Sequence, residues 1–111
     1  MRRAHKDYLS DMLENAEKAL DFVGRMEYEE FLGDEKTSYA VVRALEIIGE
    51  AAGRVPDEVR SSIQELQWRE IPAMRNKLTH EYFGINMKVV WRTVREDLPP
   101  LIKALDKALK K

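Results

Sequence analysis

The sequence predicts an all-α protein, an up-and-down bundle of four main helices with short additional helices. Three observations support this fold class. Apolar residues recur at helical spacing along most of the chain, and no segment shows the strict alternation of a β-strand. Only five glycines and four prolines interrupt the pattern, without an internal repeat or a low-complexity linker. The length of 111 residues fits one domain, so residues 1–111 are expected to form a single helical domain.

The first half of the chain predicts two long helices. The first runs from about Arg3 to Val23 and stops at Gly24. The second runs from Glu35 to Gly53, with Asp34 as a candidate N-cap. The apolar spacing assigns core positions to both helices: Leu9, Met12, Leu13, Ala16, Leu20 and Val23 in the first, and Val41, Ala44, Leu45, Ile48, Ala51 and Ala52, widened by Ala40 and Ile47, in the second. Short helices are expected over Tyr28–Leu32 and after Pro56.

The second half predicts two further main helices and a terminal one. A third helix runs from about Ile71 to Phe83 and ends at Gly84, and Asn86 is a candidate cap for the fourth. The Pro99–Pro100 pair should break or kink that fourth helix before a last amphipathic helix. The predicted core positions are Met87, Val90, Trp91, Val94 and Leu98 in the fourth helix, and Leu101, Ile102, Leu105 and Leu109 in the last. Trp68 and Trp91 are interpreted as packing residues.

Composition and charge narrow the classes of function. The chain contains no cysteine, which excludes disulfide bonds, thiolate metal ligands and a cysteine nucleophile. Charged residues make up 35% of the chain but the net charge is only −1, so this is not a globally basic nucleic-acid binder. No apolar run approaches the roughly 18 residues of a membrane span, and the charged N-terminus is unlike a signal peptide. A cytoplasmic protein without a membrane partner is expected.

The third predicted helix carries an unusual polar arc beside its apolar stripe. On a helical wheel, Arg75 and Tyr82 lie at the edge of the stripe formed by Ile71, Met74 and Leu78. The neighbouring arc holds Asn76, Thr79 and His80, where a solvent face would normally carry lysine and glutamate. One arc of this width cannot close a pocket by itself. The same helix of a second subunit is the simplest complement, so the chain is expected to dimerise through this helix.

This arc could cleave RNA without a metal ion. Arginine offers a planar fork of donors that matches a phosphate, and histidine can give or take a proton near neutral pH. A base would take the proton of the ribose 2′-hydroxyl, an acid would protonate the leaving 5′ oxygen, and a cation would stabilise the added negative charge. Two subunits would supply two copies of His80 and Arg75. Taken by spacing alone, however, an Arg-x4-His pair is common, and both residues can equally be ordinary surface groups.

The stretch from Met74 to Asn86 narrows these alternatives. It reads MRNKLTHEYFGIN and closely resembles the Arg-x4-His-x-Tyr signature of the HepT-like branch of the HEPN superfamily. Residues 44–52 (ALEIIGEAA) resemble the second core helix of that family, and Val90–Val94 with the following Asp97–Pro99 resemble its fourth. The resemblance therefore covers nearly the whole chain, and the signature is much more specific than the Arg-x4-His pair alone.

The resemblance implies a ribonuclease toxin of a type II toxin–antitoxin pair. Such toxins are homodimers with a metal-independent RNA-cleaving cleft at the subunit interface, and they use no cofactor. Carried over by position, Arg75 would hold the scissile phosphate and His80 would act as acid and base, with Asn76, Thr79 and Lys77 as supporting or RNA-binding residues. The partner would be a minimal nucleotidyltransferase antitoxin that transfers AMP from ATP onto Tyr82, which would block RNA by bulk and charge.

Other interpretations are kept beside this one. A non-catalytic helical partner of a nucleotidyltransferase is the alternative, although relatives of that kind commonly lack the Arg-x4-His pair. A plain structural bundle is disfavoured by the polar arc. No metal site is expected, because His5 and His80 are far apart in sequence and no helix carries a Glu-x-x-His pair. Lys88, Arg92 and Arg95 share one predicted face that could follow an RNA backbone or could simply be solvated.

Overall fold

A computed structural model describes residues 5–66, 68, 71 and 86–110. All regular secondary structure in these residues is helical, which confirms the predicted all-α class. The helices are α1 (His5–Val23), α2 (Tyr28–Gly33), α3 (Glu35–Gly53), α4 (Asp57–Ser62), α5 (Met87–Arg92) and α6 (Leu98–Leu109), and a π-helical turn (Thr93–Asp97) joins α5 to α6. Apart from Ile71, the predicted third helix lies outside the described residues. In the described ranges, every helix is too short or too polar to cross a membrane.

The core is formed where α1 packs along α3 and against α6. The side chains fully excluded from solvent include Met12, Phe31, Leu45, Ile48, Val90, Val94, Leu98 and Leu105. All six predicted core positions of α3 are buried, whereas Ala40 and Ile47 are only half-buried. In α1, Leu13 and Leu20 lie half-buried at the edge of the core and the small Ala19 is buried instead. Helical spacing therefore identified the buried face of each helix. Within that face, the small Ala19 is more deeply buried than the larger Leu13 and Leu20.

Short signals in the sequence mark the end of α1 and the starts of α3 and α4. Gly24 follows α1 with a φ of 54°, the left-handed region that suits glycine, and its N–H donates to Leu20 O at 2.8 Å. Asp34 accepts a hydrogen bond from Thr37 N at 3.0 Å, which confirms it as the N-cap of α3. Pro56 immediately precedes α4 as its N-cap residue. These local signals explain why the predicted end of α1 and the predicted start of α3 hold.

The interruption between the fourth and last helices comes earlier than the Pro99–Pro100 pair. The α-helical pattern ends at Arg92 and is replaced by the π-helical turn, in which the N–H of Leu98 donates to Thr93 O. This is the i→i−5 bond of a π-turn. The prolines then occupy the first turn of α6, where an N–H is not needed for an intrahelical bond. The π-turn thus directly precedes the two prolines, and the residues on either side of it, Arg92 and Leu98, have helical φ and ψ.

An aromatic cluster attaches α2 to α5. The Trp91 ring centroid lies 5.4 Å from that of Phe31 and 5.7 Å from that of Tyr28, with tilted planes. Phe31 is fully buried, while Trp91 is half-buried against the core. Trp68 also packs against the core. The interpretation of both tryptophans as packing residues is thereby confirmed.

Candidate functional site

The residues predicted to carry the chemistry lie outside the described residues. They are Arg75, Asn76, Lys77, Thr79, His80 and Tyr82. Their arrangement, their contacts and the dimer that would complete their site stay predictions. The structure does describe Trp68 and Ile71 before this segment and the residues from Asn86 onward after it.

On the entry side, the chain is held at Trp68 and Ile71. Trp68 Nε1 donates a hydrogen bond to Ile63 O at 3.0 Å, so its polar edge is satisfied while its ring packs against the core. Ile71 is helical and only 6% exposed, as part of the main hydrophobic cluster. Because burial of an aliphatic side chain stabilises by about 1.5–3 kcal/mol, this contact fixes the chain four residues before Arg75.

On the exit side, Asn86 caps α5 as the sequence predicted. Its Oδ1 accepts hydrogen bonds from Lys88 N at 3.1 Å and from Val89 N at 3.3 Å. These two N–H groups have no partner within the helix, so the cap satisfies donors that would otherwise depend on water. Val90, in the same turn, is fully buried. The cap and the buried valine together fix the start of α5 in the bundle.

The three basic residues after the motif are all exposed, but their contacts differ. Lys88 is exposed in the first turn of α5, and the exposed Arg92 pairs with Glu96 at 3.3 Å. Arg95 instead donates from Nη2 to Met26 O at 2.8 Å, and its guanidinium lies over the Trp91 ring. Arg95 thus connects the π-turn to the loop before α2, and this role was missed by spacing alone. Its position four residues after a tryptophan was the signal available in the sequence.

A second structural arginine was also missed. Arg60 on α4 donates from Nη2 to Ala52 O and from Nε to Val55 O, both at 2.9 Å. Its guanidinium lies 5.7 Å from the centroid of the Trp68 ring. By contrast, Arg43 forms only long surface pairs of 3.9 Å with Glu46 and Glu50. The sequence around Arg60 does not distinguish it from Arg43. The partners of Arg60 are backbone carbonyls that the turn after α3 brings close to it.

Comparison with known proteins gives consistent matches. The chain matches a family model described as "Ribonuclease HepT-like" over residues 12–108. A protein of Thermococcus cleftensis named "Probable ribonuclease HepT" is 46% identical over 110 residues, which cover 99% of this chain and 100% of the relative. A protein of Caldanaerobacter subterraneus, named as a proposed RNase, is 39% identical over 106 residues, covering 96% of this chain and 95% of the relative.

A third relative, from Methanocaldococcus jannaschii and also named as a proposed RNase, is 38% identical over 109 residues, covering 98% of this chain and 90% of the relative. The matched residues 12–108 include the whole polar motif and both of its described flanks. No solved structure matches the chain.

Proposed function

Because this chain belongs to the HepT-like ribonuclease family, we propose that it is a metal-independent RNA endonuclease and the toxin of a type II toxin–antitoxin pair. Family membership supports an RNase function. The observation that carries the proposal is the complete Arg-x4-His-x-Tyr motif of Arg75, His80 and Tyr82 inside the family match. Arg75 and His80 offer the groups that the cleavage needs, and Tyr82 offers a hydroxyl through which the activity could be controlled.

The proposed reaction is an attack by the ribose 2′-hydroxyl on the adjacent phosphorus. A neutral His80 takes the hydroxyl proton, and the 2′ oxygen forms a bond to phosphorus. The bond to the 5′ oxygen breaks, and the leaving oxygen receives a proton from the protonated His80 of the second subunit. The products are a 2′,3′-cyclic phosphate and a free 5′-hydroxyl. Arg75 binds the non-bridging oxygens, whose negative charge grows in the transition state.

Three further residues would support binding in this proposal. Asn76 offers an amide that can orient the phosphate or His80, and the Thr79 hydroxyl can donate to a phosphate oxygen. Lys77 adds a positive charge close to the RNA backbone. The homodimer belongs to the same proposal, because a single helix supplies only one histidine for two proton transfers.

Control of the toxin is proposed to act through Tyr82. A minimal nucleotidyltransferase antitoxin would transfer AMP from ATP: the Tyr82 oxygen bonds to the α-phosphorus, pyrophosphate leaves, and the phenol proton is released. The added nucleotide would introduce bulk and a negative charge beside Arg75, which disfavours the binding of RNA by sterics and repulsion.

The deciding experiment is an RNA-cleavage assay in EDTA with the wild-type protein and its His80→Ala variant. Cleavage by the wild type alone, leaving a 2′,3′-cyclic phosphate, is the expected result. If the RNA stays intact, the mass of the wild-type protein is measured next. An added AMP unit would identify a neutralised toxin, whereas an inactive protein without modification would favour the non-catalytic partner of a nucleotidyltransferase.

A further inference from the structure

The short helices α2 and α4 are both six residues long, but they are anchored differently. In α2, Phe31 is fully buried and its ring contacts Trp91. In α4, Val59 and Arg60 are half-buried and the other four residues are exposed. A helix of this length is not stable in water by itself, because the free energy of nucleation exceeds what its few hydrogen bonds contribute. The stability of α4 therefore depends on its contacts with the rest of the chain.

Buried residues hold the chain immediately before and after α4. Val55 is 3% exposed and Ile63 is 5% exposed. The N–H of Val55 donates to Ala52 O at 3.2 Å, and Ile63 O accepts a hydrogen bond from Trp68 Nε1 at 3.0 Å. Residues 56–62, between these two anchors, can therefore separate from the bundle while both of their ends stay in place.

Arg60 attaches α4 to the end of α3. Its Nη2 and Nε donate to Ala52 O and Val55 O, each at 2.9 Å. Carbonyls at the C-terminal end of a helix lack partners within the helix and carry partial negative charge, so a guanidinium is favourable there. The guanidinium also lies 5.7 Å from the centroid of the Trp68 ring. The ion pair with Asp57 is weak by comparison, because it is 4.0 Å long and the Asp57 side chain is 99% exposed.

We propose that residues 56–62 form a strap that opens and closes as a unit at the end of α3 while the bundle stays folded, and that Arg60 holds the strap closed. Opening breaks the two bonds of Arg60 to carbonyl oxygens, separates its guanidinium from Trp68 and exposes the half-buried Val59. It costs little burial, since the other four side chains of α4 are already exposed. Opening of α2, by contrast, would withdraw Phe31 from the core. The strap does not depend on the proposed RNase function.

Hydrogen exchange of the wild-type protein, measured for single amides at low urea concentrations, tests the opening. The Arg60 N–H donates to Pro56 O in α4, and the Phe31 N–H donates to Glu27 O in α2, both at 3.0 Å. The protection factor of the Arg60 amide is expected to be about tenfold lower than that of the Phe31 amide. Its dependence on urea should be much shallower than that of the α1 amides, because little surface is exposed in the opening. If the Arg60 amide follows the α1 amides in protection and in urea dependence, the strap opens only when the bundle unfolds and the proposal is overturned.

The substitution Arg60→Lys tests which residue holds the strap closed. Lysine keeps the charge, but a single ammonium cannot contact two carbonyl oxygens and a ring as a planar fork of donors does. The protection factor of the Val59 amide is expected to fall about tenfold further, while that of the Phe31 amide stays within about twofold. Arg43→Lys is the matched control and should change neither, because Arg43 is 62% exposed and its pairs with two glutamates are 3.9 Å long. Unchanged protection of Val59 in Arg60→Lys overturns the role of Arg60.

Trypsin gives an independent measurement, because it cleaves after lysine as well as arginine and the substitution keeps the cleavage site. When opening is fast relative to cleavage, the cleavage rate follows the population of the open strap. Cleavage after position 60 is expected to be about tenfold faster in Arg60→Lys than in the wild type. Cleavage after position 43 should keep its rate.

Circular dichroism checks that Arg60→Lys is folded. If it is not, the wild-type exchange and cleavage rates decide the proposal by themselves. In the wild type, cleavage after position 60 is expected to be faster than cleavage after position 43, which lies within the long helix α3. The reverse order overturns the proposal.

Discussion

The guanidinium of Arg95 lies 4.7 Å from the centroid of the Trp91 ring, one turn before it in the chain. The same guanidinium donates to Met26 O, in the loop between α1 and α2. One side chain thus connects the π-turn, the aromatic cluster and the start of α2. A residue that spacing alone placed among possible RNA contacts has a structural role in the described part of the chain.

Replacing Arg95 should cost stability. Arg95→Ala removes the hydrogen bond to Met26 O and the contact with Trp91, which together contribute about 1–2 kcal/mol. Urea unfolding measures the loss at one fixed protein concentration, so that the proposed association of the chain affects both variants equally. Arg92→Ala is the control: its pair with Glu96 joins side chains that are 68% and 62% exposed, so a change below about 0.5 kcal/mol is expected. Equal losses in both variants would contradict the structural role of Arg95.

Phe31 and Leu32 should respond very differently to truncation although they are neighbours. Phe31 is fully buried against Trp91, whereas Leu32 is 48% exposed. Phe31→Ala is expected to lower the free energy of unfolding by about 3–5 kcal/mol, through lost burial and the cavity left behind. Leu32→Ala should stay within about 0.5 kcal/mol. Denaturant unfolding of both variants checks the orientation of α2, and a larger loss for Leu32→Ala would show that α2 presents its other face.

Gly24 and Gly53 offer a matched test of backbone conformation. Gly24 has a φ of 54°, and a Cβ at that position would be strained by the backbone alone. Gly24→Ala should therefore destabilise by about 1 kcal/mol. A Cβ on Gly53 meets nothing within 4 Å, and its φ is ordinary, so Gly53→Ala should be neutral or stabilise by up to about 1 kcal/mol. Thermal unfolding compares the two, and a neutral Gly24→Ala would argue against a left-handed turn after α1.

Lys88 is the residue after the motif that we expect to contact RNA. It is exposed in the first turn of α5, immediately after the cap at Asn86. Lys88→Ala should weaken binding of a 2′-O-methyl RNA, which cannot be cut, by about fivefold, and should lower the slope of log affinity against log salt by about one. The control Lys103→Ala removes an exposed lysine from α6. Equal affinities for Lys88→Ala and the wild type, at low and high salt, would exclude this contact.

The sequence predicted best where one residue has a strong local preference. Asp34 and Asn86 are caps because their side chains can reach free N–H groups two or three residues ahead, and the structure confirms both. Prediction was weaker where a contact depends on how the chain folds and not on the local preference of one residue. The partners of Arg60 and Arg95 are backbone carbonyls supplied by other segments, and no spacing rule identifies them.

The π-turn illustrates the same limit within one helix. The proline pair predicts an interruption of the α-helix, and an interruption exists. It lies in the π-turn immediately before the prolines and not at the prolines themselves. For the candidate site, the sequence predicts the residues and their chemistry but not their geometry. Its residue types and order come from the motif. Of its described flanks, Ile71 is helical and Asn86 caps the next helix, as predicted. The positions of Arg75, His80 and Tyr82 lie outside the described residues, so their geometry stays a prediction.

Asp34 serves two helices at once. Its N–H donates to Phe31 O at the end of α2, and its carboxylate accepts from Thr37 N at the start of α3. A single residue therefore separates the two helices, and it is hydrogen-bonded to both of them. The position of α2, and with it the aromatic contact with α5, depends on this one junction. An insertion at this junction would change the distance between the two helices, which the single residue Asp34 sets in this fold.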